Sequence, residues 1–464
     1  MSSVSYYPNF GGHCLSSERE ENGFGPTLIY SANPWGRQII RQTTATSNLW
    51  ESRALIPLIG LLCLVAYLPT VNNGFIADDY VLLDRVGILK HNPGYLFLIP
   101  PEIFRAMSDV AFVLLKSSFG YRSEWFYAFS IALHFVNCLL LRAILREFPR
   151  TAPAAGIAAI CFAVFQAPQE AVMWVAAVGE EFQILFVLAT LVLWMRKRYF
   201  PSMVCYALAL LSKESAVVVL PLIPIAEYLK GERISVRRYL LPLIPTGAFI
   251  AMFLWTWSRN YMISSSNYAI GPHALLVLMN SLFRLTWPWL LILIALAILD
   301  RAQWLSLRWL AVVVVLLAIP VMPYMFITYQ NHILSRQTYM ASAVFMAICA
   351  YMIRQLHRPS LRNAFLIVFV AFNIWYLWFK KDPQFESRAA PTTQLALEMR
   401  KRKPGQLFIR NFEYFRSPEI AYFTAATVPG WSPDLIGIEN WNSKDPGCTV
   451  LRWDEKLRRY IEEK

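Results

Sequence analysis

The chain has 464 residues, of which 56% are hydrophobic and only 16% charged, against about 25% charged in ordinary soluble domains. The net charge of +13 sits in short basic clusters at the ends of apolar runs and forms no single stripe, which excludes a nucleic-acid binder. Short alternating strands are missing from the pattern, which excludes a membrane barrel and leaves an all-α polytopic membrane protein.

Residues 1–53 are rich in Ser, Asn, Gly and Tyr and read as a disordered cytoplasmic tail. There is no basic-then-apolar start, so the first crossing is expected to act as an uncleaved anchor. That crossing is "ALIPLIGLLCLVAYLPT", 54–70. A long loop is expected over 71–122, with "FRAMSDVAFVLLKSSFG" as a helix lying in the membrane interface.

Further apolar runs follow at 124–145, 153–168, 178–195, 201–212, 214–229, 239–258, 273–299, 309–328, 337–353 and 361–379. Each is close to the length needed to cross about 30 Å of hydrocarbon, so about eleven crossings are predicted. Arg142, Arg146 and Arg150 share a side with Arg196–Arg198, Arg237–Arg238, Arg301 and Arg354–Arg358. The positive-inside rule makes that side cytoplasmic. Residues 54–379 then form the membrane domain. Residues 380–464 change character: "LFIRNFEYF" and "CTVLRW" read as strands and "SPEIAYFTAATV" as a helix. A small α/β appendage on the outside is expected, and no internal repeat is evident.

The polar residues of the outer loops are not scattered. Asp78 and Asp79, Glu170, Glu180 and Glu181, Lys213 and Glu214, and Arg336 all lie within a few residues of apolar runs on the same side. Charged residues so placed usually face a cavity. Carboxylates beside Lys and Arg at an interface suit an amphiphilic substrate with a phosphate headgroup. His134 and Asn137 lie one turn apart on an apolar helix, a spacing that more often bonds helix to helix. Cys63, Cys138, Cys161, Cys205 and Cys349 lie in apolar runs and read as small core residues; no spacing suggests a metal.

Five segments, in order, resemble the GT-C superfamily of membrane glycosyltransferases. "NNGFIADDYVLL" is similar to its acidic first-loop motif. "FRAMSDVAFVLLKSSFGYRSEWFYAFSIALHFVNCLLL" resembles the stretch that follows it in protein O-mannosyltransferase relatives. Here Ala106 replaces a Pro, and Tyr127 stands where a His is usual. "AICFAVFQAPQEAVMWVAAVGEEFQILF", "LALLSKESAVVVLPLI" and "LSRQTYMAS" look like three later motifs, with Gln337 in place of a Tyr. The likeness covers roughly residues 55–350.

The resemblance implies inverting transfer of a sugar from a polyprenyl-phosphate carrier to a hydroxyl of a protein, lipid or glycan on the outer face. Asp78 would be the general base, and Asp79 would orient the loop or the acceptor. Arg336 and Lys213 would hold the phosphate, with Glu170, Glu214, Arg105 and His134 lining the substrate site. A phosphate leaving group needs no acid, so one carboxylate suffices. No cofactor is expected and no metal is assigned, since protein cations can hold a monophosphate. A bacterial inner membrane is favoured over the endoplasmic reticulum. The rival readings are a transporter or lipid flippase, which would more often show repeat symmetry, and an inactive relative, to which Ala106 and Gln337 point.

Overall fold

The computed structural model describes residues 28–29, 40–41, 52–96, 105–233, 235–256, 266–301, 307–414, 417–438 and 449–463. The chain divides into two units, residues 1–48 and 49–464. In the first, strands β1 (Leu28–Ile29) and β2 (Ile40–Arg41) pair antiparallel. The rest of the expected disordered tail, up to residue 51, lies outside the described residues.

The second unit is a helical bundle. Among the described residues, five helices are long and apolar enough to cross a membrane: Leu55–Asn72, Ser123–Arg146, Val175–Met195, Val236–Trp255 and the 42-residue Pro359–Arg400. A pair bent by 60°, His273–Thr286 with Trp289–Leu299, makes up to six. This is the composition of a multi-pass membrane protein, with fewer full-length spans than the eleven apolar runs suggest. The reason shows in the run at 153–168. It forms an α-helix only over Ala155–Val164, and every residue of that helix is buried inside the protein. Ten residues rise about 15 Å, and an apolar run of that length suits a core helix. Hydropathy registers transfer out of water and does not say whether lipid or protein receives the side chain.

The first spanning helix, α1 (Leu55–Tyr67), shows both surroundings at once. Leu55, Ile59, Cys63, Ala66 and Tyr67 are buried, whereas Leu58, Leu61, Leu64 and Leu68 form an exposed stripe. An apolar stripe left outside is what hydrocarbon solvates.

The region expected as a loop over 71–122 is largely helical. It holds α2 (Asp78–His91) and α3 (Ala106–Phe119), the latter where an interfacial helix was predicted. The next elements are α4 (Ser123–Arg146), α5 (Ala155–Val164), the short α6 (Glu170–Met173), α7 (Val178–Met195) and α8 (Tyr199–Ser212).

The boundary expected at 380 is no break. The helix from Pro359 passes through a wider turn at Leu377–Lys381 and continues as Asp382–Arg400. At 1.5 Å per residue the whole rod is about 63 Å long, roughly twice a bilayer core, so its second half projects beyond the apolar layer. There it meets a four-stranded sheet of β3 (Leu407–Arg410), β4 (Ile436–Ile438), β5 (Thr449–Asp454) and β6 (Arg459–Glu463), in the order β4-β3-β5-β6. β3 is parallel to β4 and β5, and β6 is antiparallel to β5. The predicted strands and the helix Glu419–Ala426 are present; β4 and β6 are additions. Leu407, Ile409 and Ile420 share one apolar core with Tyr80 and Leu83 of α2 and Phe112 of α3. The sheet therefore belongs to the same end of the bundle as the Asp78–Asp79 pair.

Candidate functional site

The segment 73–76, just before the acidic pair, is tied down residue by residue. Ser123 Oγ donates to the Asn73 carbonyl at 2.9 Å, Tyr127 Oη to the Gly74 carbonyl at 2.9 Å, and Thr392 Oγ1 to the Phe75 carbonyl at 3.0 Å. The Asn73 side chain donates to Asp382 Oδ1 at 3.0 Å. Gly74 is needed here, because a Cβ at this position would lie 1.9 Å from Thr393 Oγ1. Tyr127, the departure from the family pattern, thus has a local task.

The chain then turns sharply at Ala77, with φ 36° and ψ −98°, a strained conformation for a residue with a Cβ. The turn lets the Asp79 carboxylate reach back. Its Oδ2 accepts from the Ile76 N–H at 2.7 Å and its Oδ1 from the Ala176 N–H at 2.6 Å. Asp79 is fully buried. Burial pushes its carboxyl up to about 8, against the pull of those two N–H donors. Asp79 is therefore a clamp joining the loop of α2 to the loop before α7.

Asp78 is the opposite case. It is exposed at the first turn of α2, so the pair lies on a helix and not on an extended loop. Residues adjacent in a helix point about 100° apart, which separates the two roles. The surrounding protein lifts the Asp78 carboxyl above its ordinary value, while the guanidiniums of Arg336, Arg388 and Arg105 oppose the rise.

Arg336 and Arg388 are organised by Glu170 and Trp174. Arg336 Nη1 lies 3.1 Å from Glu170 Oε1, and Arg388 Nη1 lies 3.6 Å from the same oxygen. Both guanidiniums sit over the Trp174 ring, at 4.6 and 4.9 Å from its centroid. Gln337 Oε1 accepts from the Leu334 N–H at 3.1 Å and steadies the turn that carries Arg336. Sequence reasoning missed Arg388. It comes from the polar continuation of the last long helix, beyond the matched motifs, and no local pattern marks it.

Lys213 and His134 are both engaged inside the bundle. Lys213 was expected to hold phosphate, but its amine is buried in an ion pair with Glu180 and lies 4.8 Å from the Tyr324 ring centroid. Tyr324 Oη donates to Glu180 Oε2 at 3.3 Å, and Gln183 donates to Ser215 Oγ at 2.8 Å in the same network. Glu214 lies in the adjoining turn, half-buried. His134 is fully buried, with Nδ1 2.7 Å from Tyr339 Oη and Nε2 3.2 Å from the Ala163 carbonyl. It bonds helix to helix and does not face the arginines. Asn137 does the same, donating to the Glu181 carbonyl at 3.0 Å and to Tyr339 Oη at 3.2 Å. Arg105 lies between the two charged groups, within electrostatic reach of both Asp78 and Lys213.

The arrangement is one solvent-open carboxylate facing guanidiniums that are stacked on an indole and bridged by a second carboxylate. It can take a proton at Asp78 while holding an anion beside it. No protein-family model matches this chain, and no curated protein sequence does so either.

Proposed function

We propose that the chain is a GT-C-type membrane glycosyltransferase that moves a sugar from a polyprenyl-phosphate carrier to an acceptor hydroxyl. The observation that carries the reading is the convergence of Asp78, Glu170, Arg336 and Arg388 from four separate segments. Three of these positions fall within the motifs that resemble the family.

Asp78 takes the acceptor proton as the new bond forms at the sugar's anomeric carbon. The bond from that carbon to the phosphate oxygen breaks, with inversion, and both electrons leave with the phosphate. Arg336 and Arg388 receive the growing anionic charge, for which paired guanidinium donors are well suited. The bridge to Glu170 holds both in register before the donor arrives. Arg388 takes the part that the sequence assigned to Lys213. The orientation we favour puts this end of the bundle on the outer face, with a bacterial inner membrane as the setting and the remaining short apolar helices completing the domain. The charges buried within the bundle at Lys213 and Glu180 pair with each other, so they do not require a transport path.

The test is sugar transfer by the purified chain from a synthetic polyprenyl-phosphate sugar. Asp78→Asn should abolish most transfer with donor binding retained. Undiminished transfer in that variant would remove Asp78 as the base, and no transfer by the unaltered chain would overturn the reading in favour of a transporter or an inactive relative.

A further inference from the structure

Away from the arginines, two of the spanning helices bring soft metal donors together. Cys63 sits midway along α1. His134 and Cys138 are four residues apart on α4, so both project from one face of that helix. Cys63 Sγ and Cys138 Sγ are 3.9 Å apart, and Cys138 Sγ is 3.9 Å from His134 Nε2. The ligand atoms of the three residues lie within 4.8 Å of one another, and all three residues are buried. A tetrahedral zinc, with bonds of about 2.3 Å to sulfur and about 2.0 Å to nitrogen, sets neighbouring ligand atoms roughly 3.5–3.8 Å apart. Two edges of the cluster are already close to that.

A second observation points into the same place. Glu181 of α7 is fully buried, and the Ser130 hydroxyl is the polar group that approaches its carboxylate. Glu181 lies within electrostatic reach of Cys63, and of Cys138 as well. The Tyr67 hydroxyl, near the same thiols, is buried without a partner among the described residues. A carboxylate with one hydroxyl beside it in an apolar core is costly. A cation between it and the thiols lowers the cost.

We propose that Cys63, His134 and Cys138 bind a zinc ion, with Glu181 completing the shell. Soft thiolates with an imidazole select zinc over magnesium or calcium. Two thiolates and a neutral imidazole cancel the charge of Zn²⁺, so the full shell carries only the charge of Glu181, and two thiol protons are released on binding. Metal binding requires the histidine to change tautomer: Nε2 now faces the Ala163 carbonyl at 3.2 Å, to which it can only donate, and since the Tyr339 hydroxyl beside Nδ1 can accept an N–H as well as donate, moving the proton to Nδ1 gives up that bond and turns the Nε2 lone pair to the metal. Asn137 links Tyr339 to the backbone of Glu181, so the supporting bonds are shared between ligands. The ion would tie α1, α4 and α7 together as a structural brace, separate from the site at Asp78.

The experiment measures the metal content of the full chain, purified in detergent with a histidine-free tag and washed with a weak chelator. About one zinc per chain is expected. Cys63→Ser and Cys138→Ser should each retain about a tenth of that or less, while Cys161→Ser, a buried cysteine outside the cluster, should keep it. Cobalt exchanged into the unaltered protein should give thiolate-to-cobalt charge-transfer absorption, which decides the matter even if a cysteine variant fails to fold. Zinc-free protein that binds no cobalt, copper in place of zinc, a Cys63–Cys138 disulfide, or zinc retained in both serine variants would each overturn the proposal.

Discussion

At the residue scale, Asp78 and Asp79 are neighbours with different work. Asp79 holds two backbone N–H groups, and Asn offers an acceptor for only one of them. Leaving a buried N–H against an amide group costs about 1–3 kcal/mol. Asp79→Asn should therefore lower the melting temperature and the yield of folded protein. Asp78→Asn loses only the base, so it should fold normally and transfer sugar about 10²–10⁴-fold more slowly. Thermal unfolding and initial rates, measured on both variants, separate the two roles. The pH profile gives an independent check. A general base works when ionised, so activity should rise with pH through the Asp78 pKa, which lies above the ordinary value near 4. Arg388 holds that value down. Arg388→Ala should move the acidic limb of kcat/KM to higher pH and weaken donor binding roughly 10–100-fold; an unmoved limb would detach Arg388 from Asp78.

At the scale of elements, the loop before α2 is positioned by close approach. Gly74→Ala drives a methyl into Thr393 and should destabilise by about 1–3 kcal/mol, with partial rescue by Thr393→Ala. The turn from α8 to the next helix is set by the buried pair of Lys213 and Glu180. Removing either partner leaves an uncompensated buried charge, at a cost of about 3–5 kcal/mol. Lys213→Ala should therefore be lost to misfolding, and the double variant Lys213→Met with Glu180→Gln should recover folded protein and donor binding. A phosphate-binding lysine would give the opposite result: a folded single variant with weakened donor affinity.

For the whole molecule, the sheet at the C-terminal end packs on α2 and α3 through a shared core, which fixes it to the end that carries Asp78. Cysteines introduced at Asp84 and Glu419, both exposed, should react with an impermeant maleimide from the same side of a sealed membrane. Labelling from opposite sides would contradict the fold. Deleting residues 401–464 should uncover the apolar faces of α2 and α3, loosen the clamp at Asp79 and abolish transfer, although every residue proposed to touch substrate remains.

What the sequence by itself determined is what adds up locally along the chain. The apolar runs sum to a membrane-compatible helical protein, and the polar residues at their ends mark Asp78, Glu170 and Arg336 as neighbours of one face. Helix starts, strands over 407–410 and 449–454, and the helix at α3 are short-range properties. Only the tertiary structure decided how far each run extends as a helix, and whether lipid or protein covers it. It also decided that Asp79 is a clamp, that Lys213 is committed to Glu180, and that Arg388 stands beside Arg336. The Cys63, His134 and Cys138 side chains meet for the same reason. Each of these depends on a partner tens to hundreds of residues away, as Asn73 depends on Asp382. Periodicity and propensity act over a few turns of chain, so they cannot encode which distant group a buried charge or thiol will face.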